Sequence, residues 1–423
     1  MSSFKQVRTW LLIAFALETA TATYCLKLSS WIPVFSVIYF ISGIAISILI
    51  AEGSTLTIRM QQGLTNKNAN LYKFLLLGAM AILAFLTASY WFDEIPIDPD
   101  YADMLPVIRT MNERFLSGQW HKIYDTIPEL WSGTRPIYLP AMWLPFLPAV
   151  IFHFDMRWVT VAGVVFSFCL FLYFLKLEKF FSFSFVAVLL GAILFWWLFA
   201  ENDVHGFITL SEEGVIVLYY SILVIAIVSG NVVFVAIITS ICVLSRYALI
   251  GWIPAYLLCL YLQGRRNQIM VYIGIGMLCF IVLFVLPFGW KPFVQLTQLP
   301  AQYIGFSKLV WKDSPEVFWL SLGLAKFFGP ERATLLHWTL IVLSWTIPTS
   351  FVIIYYWLRK KRNWPNLAVA SLKISLVIFY NFIDVPYLYL FYTSSFVSLI
   401  AVAIQIYSTA ENKAEQVVST QSN

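Results

Sequence analysis

Apolar residues run through this chain in long blocks, broken by short polar or proline-bearing stretches. Blocks long enough to cross about 30 Å of hydrocarbon as a helix fall at 9–27, 31–51, 74–92, 158–175, 184–199, 214–229, 231–245, 248–262, 269–289, 335–357, 366–383 and 387–407. The pattern predicts about twelve membrane spans. Between 231 and 262 the only polar break is Ser245-Arg246-Tyr247. The N-terminal block resembles a signal peptide in outline. It lacks a small-residue cleavage site and further spans follow at once, so it reads as a retained first helix.

Two stretches depart from this rhythm. The segment 138–157 is apolar but carries Pro140, Pro145 and Pro148. Each proline removes a backbone donor and interrupts a regular helix. A broken, re-entrant or interfacial hairpin is expected there, and such backbone is tolerated at membrane depth only against protein or a water-filled cavity. Just before it, Met104, Ile108, Met111 and Phe115 recur at helical spacing, with Arg109, Asn112, Glu113 and Arg114 on other faces. A short amphipathic helix in the membrane interface is expected.

Composition agrees with the pattern. The chain of 423 residues is 60% hydrophobic and 12% charged, whereas a soluble chain carries about 25% charged residues. That excludes an ordinary soluble enzyme and excludes disorder. The five cysteines sit in or beside apolar blocks without metal-ligand spacing and read as small hydrophobes. No phosphate-loop, zinc-hydrolase or serine-hydrolase motif is present, and no basic, aromatic-rich patch suits nucleic acid.

The net charge of +5 gains meaning only when split by side. With the N-terminus inside, the inner connections carry 14 Lys/Arg and 4 Asp/Glu, a net of +10. The outer ones carry 12 Lys/Arg and 17 Asp/Glu, a net of −5. The inner connections are much shorter, and Arg359-Lys360-Lys361-Arg362 is the strongest stop signal, so both termini are expected in the cytoplasm. The expected architecture is an all-α polytopic membrane protein. Residues 1–410 form a single integral-membrane domain, with outer loops at 93–157, 200–213 and 290–334 and a cytoplasmic tail at 411–423. No inverted repeat of broken helices is apparent.

Candidate chemistry collects in the first outer loop, where Asp93–Arg135 holds eight acids and four basic residues. Asp103 stands where an N-cap of the amphipathic helix belongs, and Asp100 follows Pro99 in a turn context. Either carboxylate is also placed to act as a general base at the lipid–water boundary. The second outer loop, Glu201 to Glu213, includes Asp203, His205 and Glu212. It has groups for sugar hydroxyls or a divalent cation, although a solvated acidic loop is the commoner arrangement and no ligand spacing is diagnostic. The third carries Trp290, Trp311 and Trp319, as an interfacial aromatic belt does. Glu18 and Lys373 are intramembrane charges, which are functional suspects by default. They pair if the first and eleventh spans touch.

Several short motifs recur in an order met elsewhere. They are Asp100-Tyr-Ala-Asp103-Met-Leu-Pro, Arg114-Phe-Leu-Ser-Gly118-Gln, Tyr124, Tyr138-Leu-Pro140-Ala-Met-Trp143-Leu-Pro145 and Asp155-Met-Arg157-Trp158. In these about 60 residues, and in span pattern beyond them, the chain resembles the GT-C superfamily of integral-membrane glycosyltransferases. The likeness is to the bacterial branch related to polyprenol-phosphate-mannose-dependent mannosyltransferases. The resemblance implies a bacterial inner-membrane enzyme of the cell envelope. It would move a sugar from a polyprenyl-phosphate donor to a lipid or glycan acceptor, with inversion and without a cofactor or nucleic-acid partner. It further implies an aspartate base in this loop, Asp103 or Asp100, and Tyr138 near substrate. The donor phosphate needs a cation. Arg246 fits, enclosed between apolar blocks, with snorkelling as the plainer role. Arg135, Lys308 and Lys312 are weaker alternatives. A flippase for lipid-linked sugars or a small-solute transporter is the rival class.

Overall fold

The computed structural model describes residues 2–56, 67–97, 104–130, 133–175, 182–200, 205–290, 298–358 and 363–421. Among them the chain is helical throughout, with one isolated bridge between Ile127 and Thr134. The helices are α1 (Ser2–Tyr24), α2 (Ile32–Glu52), α3 (Lys67–Glu94), α4 (Met104–Leu116), α5 (Pro140–Phe152), α6 (Arg157–Phe174), α7 (Phe183–Ala200), α8 (His205–Thr209), α9 (Glu213–Ser229) and α10 (Val232–Val243). They continue with α11 (Tyr247–Leu262), α12 (Arg266–Phe288), α13 (Leu299–Asp313), α14 (Ala333–Leu358), α15 (Trp364–Phe382) and α16 (Phe391–Gln421).

Eight of these segments are long and apolar enough to cross a membrane. Of the expected spans, α9, α10 and α11 are shorter apolar helices, and α1 lies outside the eight. The 12 residues of α10 reach about 18 Å, well short of about 30 Å of hydrocarbon. The break that follows α10, with Arg246 in it, is therefore recessed below the level a full span would reach. Asn231 starts α10 sharply, since its Oδ1 accepts from the backbone N–H groups of Val233 and Phe234 at 3.0 and 3.2 Å. The residue before it, Gly230, has φ of +70° and closes α9.

At the centre stand α15 and α16, buried over 83% and 94% of their spans. Glu18 and Lys373, left open by the sequence, do pair: the Lys373 ammonium donates to the Glu18 carboxylate and to Ser394 Oγ at 2.7 Å and Ser394 O at 2.9 Å. All three side chains are fully buried, so α1, α15 and α16 are tied together in the interior. At one end, Asn366 donates to Ile50 O and Ser54 O, and Gln405 to Ser54 O. The long connections gather at the opposite end.

The proline-bearing segment is broken as expected. Pro140 opens a helical turn, Leu144–Phe146 is 3₁₀, and Leu147–Phe152 is α again, with each proline in the first turn of its piece. Its start docks on the recessed break, because Ala141 N donates to Leu244 O at 3.0 Å and Tyr219 Oη to Ala141 O at 3.0 Å. The amphipathic helix α4 is present too, but its apolar face meets protein rather than lipid. Ile108 and Met111 are fully buried with Trp143 and Phe146, and Asn112 Nδ2 donates to Trp143 O at 2.9 Å. α4 ends where Gly118 takes φ of +74°, and Gln119 N reaches back to Arg114 O at 2.8 Å. The Arg114 guanidinium then binds the carbonyls of Lys122, Asp125 and Thr126 at 2.7–3.0 Å, which fixes the following loop.

In the third loop Trp311 is buried, stacked on Phe318 at 3.9 Å, while Trp290 and Trp319 are exposed. Lys326 there is buried and donates to Ser36 Oγ at 2.9 Å and Ser321 O at 2.5 Å. Burial pushes its ammonium down to about 8.

Candidate functional site

The site is built where the long connections meet the recessed break. Its first wall is the start of α9. Thr160 Oγ1 donates to Ser211 O at 2.8 Å. A Cβ on Gly214 would lie 2.0 Å from Thr160 O, and one on Gly163 2.2 Å from Gly214 O. Glycine at both places lets the two backbones touch. That contact holds Glu212 and Glu213 against α6 at a fixed depth.

Arg246 enters from the second wall. Its backbone is extended (φ −151°, ψ 140°), and Arg246 N is held by Cys242 O at 2.9 Å. Nη2 lies 2.7 Å from Glu212 Oε1, and Nη1 lies 2.7 Å from Glu213 Oε2. The other oxygen of Glu213 accepts from Thr393 Oγ1, at the start of α16. Tyr380 and Tyr389 act on the charge of Arg246. Tyr303, on α13, is influenced by both Arg246 and Asp384. Burial raises the Tyr303 hydroxyl to about 12, against the opposing pull of Arg246.

A histidine–aspartate pair lies beyond Tyr303. His337 Nδ1 is 2.7 Å from Asp384 Oδ2, and Ser307 Oγ donates to Asp384 O at 2.9 Å. His337 Nε2 is buried and has no hydrogen-bond partner among the described residues. Nothing in local sequence pairs His337 with Asp384, 47 residues away.

The segment that carries the expected aspartates is bracketed at both ends. Before it, Arg157 binds Ile95 O at 2.5 Å and Phe92 O at 3.0 Å, sits 4.1 Å from the Phe92 ring, and is held by Asp155 at 2.6–3.1 Å. After it, Tyr389 Oη donates to Met104 Sδ at 3.0 Å. Met104 opens α4, so the residue that follows Asp103 lies against a tyrosine that acts on Arg246. Asp100 and Asp103 themselves lie outside the described residues.

The other sequence candidates divide. Arg246 and Glu212 come together. A solvated acidic loop is not what the structure has at Glu212 and Glu213, which are 1% and 0% exposed; the glycine contact and the arginine draw them inside. Asp203 lies outside the described residues, and His205 opens the short α8. Tyr138 is half-buried between the apolar cluster around α4 and the membrane core. Arg135 is exposed just after the Ile127–Thr134 bridge, and Lys308 and Lys312 are exposed on α13. No described group of three or more His, Cys, Asp or Glu is arranged to hold a metal.

A cavity of about 370 Å³ opens nearby, lined by Arg109 and Glu113 of α4 and by His153, Phe154 and Asp155 after α5. His153 has φ of +55°, a conformation that non-glycine residues adopt rarely.

No protein-family model matches this chain, and neither a curated protein nor a solved structure does.

Proposed function

We propose that the protein is a membrane glycosyltransferase. It takes a sugar from a polyprenyl-phosphate donor and passes it, with inversion, to an acceptor hydroxyl at the outer face of a bacterial inner membrane. Asp103 or Asp100 removes the acceptor proton, the freed oxygen attacks the anomeric carbon, and the lipid phosphate departs. The phosphate leaves as a stabilised anion, so no nucleotide is needed on that side. Arg246 is the cation at the recessed break and the group to which that anion is drawn.

One observation carries this reading. The helix that follows Asp103 is anchored through Met104 to Tyr389, beside Arg246. That contact supports a reading in which a base in the segment before Met104 and a phosphate cation at Arg246, 143 positions after Asp103 in sequence, serve one substrate. The short α10 supports it further, since it opens that end of the membrane core to a lipid headgroup.

A lipid-linked-sugar flippase or small-solute transporter draws support from the buried polar residues of α15 and α16. These include Asn366, Ser371, Lys373, Thr393, Ser394 and Gln405. Their side chains are committed to fixed partners, Lys373 to Ser394 and Glu18, Thr393 to Glu213, and Asn366 and Gln405 to Ser54, which suits a fixed core better than a path. Purified protein in sealed vesicles separates the two classes. A transferase yields a new glycosidic bond from labelled lipid-linked sugar. A transporter moves the label across the bilayer and forms no bond.

A further inference from the structure

Arg246 is enclosed by more negative charge than it neutralises. It is 12% exposed, and its two carboxylate partners are 1% and 0% exposed. With both ionised, the trio carries a net charge of −1 almost out of reach of water, where uncompensated charge is most costly. Among the described residues, the groups that interact with this trio supply no second cation. They are Tyr220 and Cys242 from α9 and α10, Tyr380 from α15, Thr393 at the head of α16, Tyr389 before it, and Tyr303 from α13. Asp384, which acts on Tyr303, adds further negative charge.

The two carboxylates are not held alike. Glu213 lies inside α9, accepts from Thr393 through one oxygen, and faces Arg246 Nη1 at 2.7 Å through the other as an ion pair without hydrogen-bond geometry, so it has a second partner to hold it. Glu212 precedes the helix, hydrogen-bonds Arg246 through Oε1, and has no partner for the buried Oε2 among the described residues. A phosphodiester arriving at Arg246 would compete with Glu212 first, and would raise the local charge from −1 to −2.

Building on the lipid-phosphate-dependent reading above, we propose that the donor phosphate replaces Glu212 on Arg246 and that the carboxylate pair takes up one proton from water as the lipid binds. No bond to carbon or phosphorus changes in this step; an ion pair is exchanged and a proton is added to a carboxylate. In the empty protein Glu212 blocks the arginine, so other anions are turned away. The sign of the pH effect follows by linkage. A complex that holds one more proton than its parts tightens as pH falls, by up to about tenfold per pH unit.

The test uses the full-length protein in detergent and methyl farnesyl phosphate, a diester whose single charge does not titrate near neutrality. Calorimetry in two buffers of different ionisation heat counts the protons. The expected result is about one proton taken up per lipid bound near pH 7.5. Glu212→Gln should bind more tightly at that pH, with no uptake and a flat pH dependence. Binding by the native protein without proton uptake overturns the exchange and leaves the transferase reading standing. Absence of binding by both proteins at every pH overturns the exchange and the phosphate role of Arg246 together. The proton count is made on the unaltered chain, so it stands even where a variant folds poorly.

Discussion

Two buried charged clusters sit in this bundle, and they are built on different arithmetic. In the interior, one lysine meets one glutamate, and Ser394 takes the remaining donors. At the recessed end, one arginine meets two glutamates. The interior pair is balanced in charge, as a residue pair that fixes helix positions should be. The end cluster holds one carboxylate more than its cation neutralises, and that excess of charge marks it as a site for a ligand or a proton; an unpartnered buried oxygen does not separate the two, since Glu18 Oε2 and Glu212 Oε2 both lack a hydrogen bond among the described residues.

Removing the cations should separate the two most sharply. Arg246→Met leaves two buried carboxylates together and should cost about 5 kcal/mol of stability. Lys373→Met leaves one and should cost about 3 kcal/mol. Thermal unfolding in detergent would read both, and Glu18→Met with Lys373→Met should recover most of the loss, because a balanced pair is replaceable by apolar side chains. Removing an anion should reverse the order. Glu18→Gln strands Lys373 and destabilises, whereas Glu212→Gln relieves an excess and changes stability by less than about 1 kcal/mol. If both glutamates behave alike, the distinction between the clusters fails.

A third buried cation gives a smaller effect than the loss of either paired cation. Lys326 has a hydroxyl and a carbonyl for partners, and its ammonium is pushed down from 10.5 to about 8. Between these values the unfolded chain holds more protons than the folded one, so the Lys326 contribution to stability rises with pH; below about 8 its full penalty is present. Stability measured near pH 7.5 and pH 9.5 should therefore rise by about 2 kcal/mol more in the native chain than in Lys326→Met. An equal response of the two proteins would remove the buried ammonium from the account.

Much of the architecture was legible in the amino-acid pattern, because apolar length and proline chemistry act locally. Every apolar run coincides with a helix, and the three prolines break α5 where they stand. What was not legible depends on meetings across the chain. Glu212 and Glu213 read as a wet loop because nothing nearby in sequence says that Gly214 lies against Thr160 or that Arg246 is waiting 33 residues beyond Glu213. The same holds for His337 and Asp384. Arg157 was noticed within a motif, but its task of fixing the exit of α3 is a contact over 62 positions. α4 has the stripe of an interfacial helix, and only the fold says that α5 covers it.

The central claim is that the short segment between Ile95 and Met104 supplies the base for sugar transfer. The most direct measurement is the rate at which purified protein moves labelled sugar from a polyprenyl-phosphate donor to acceptor, for the native chain, Asp103→Asn and Asp100→Asn. The account predicts that one of the two variants loses about 10²–10⁴ in rate while its fold and its lipid binding persist. Native rates in both variants would contradict it.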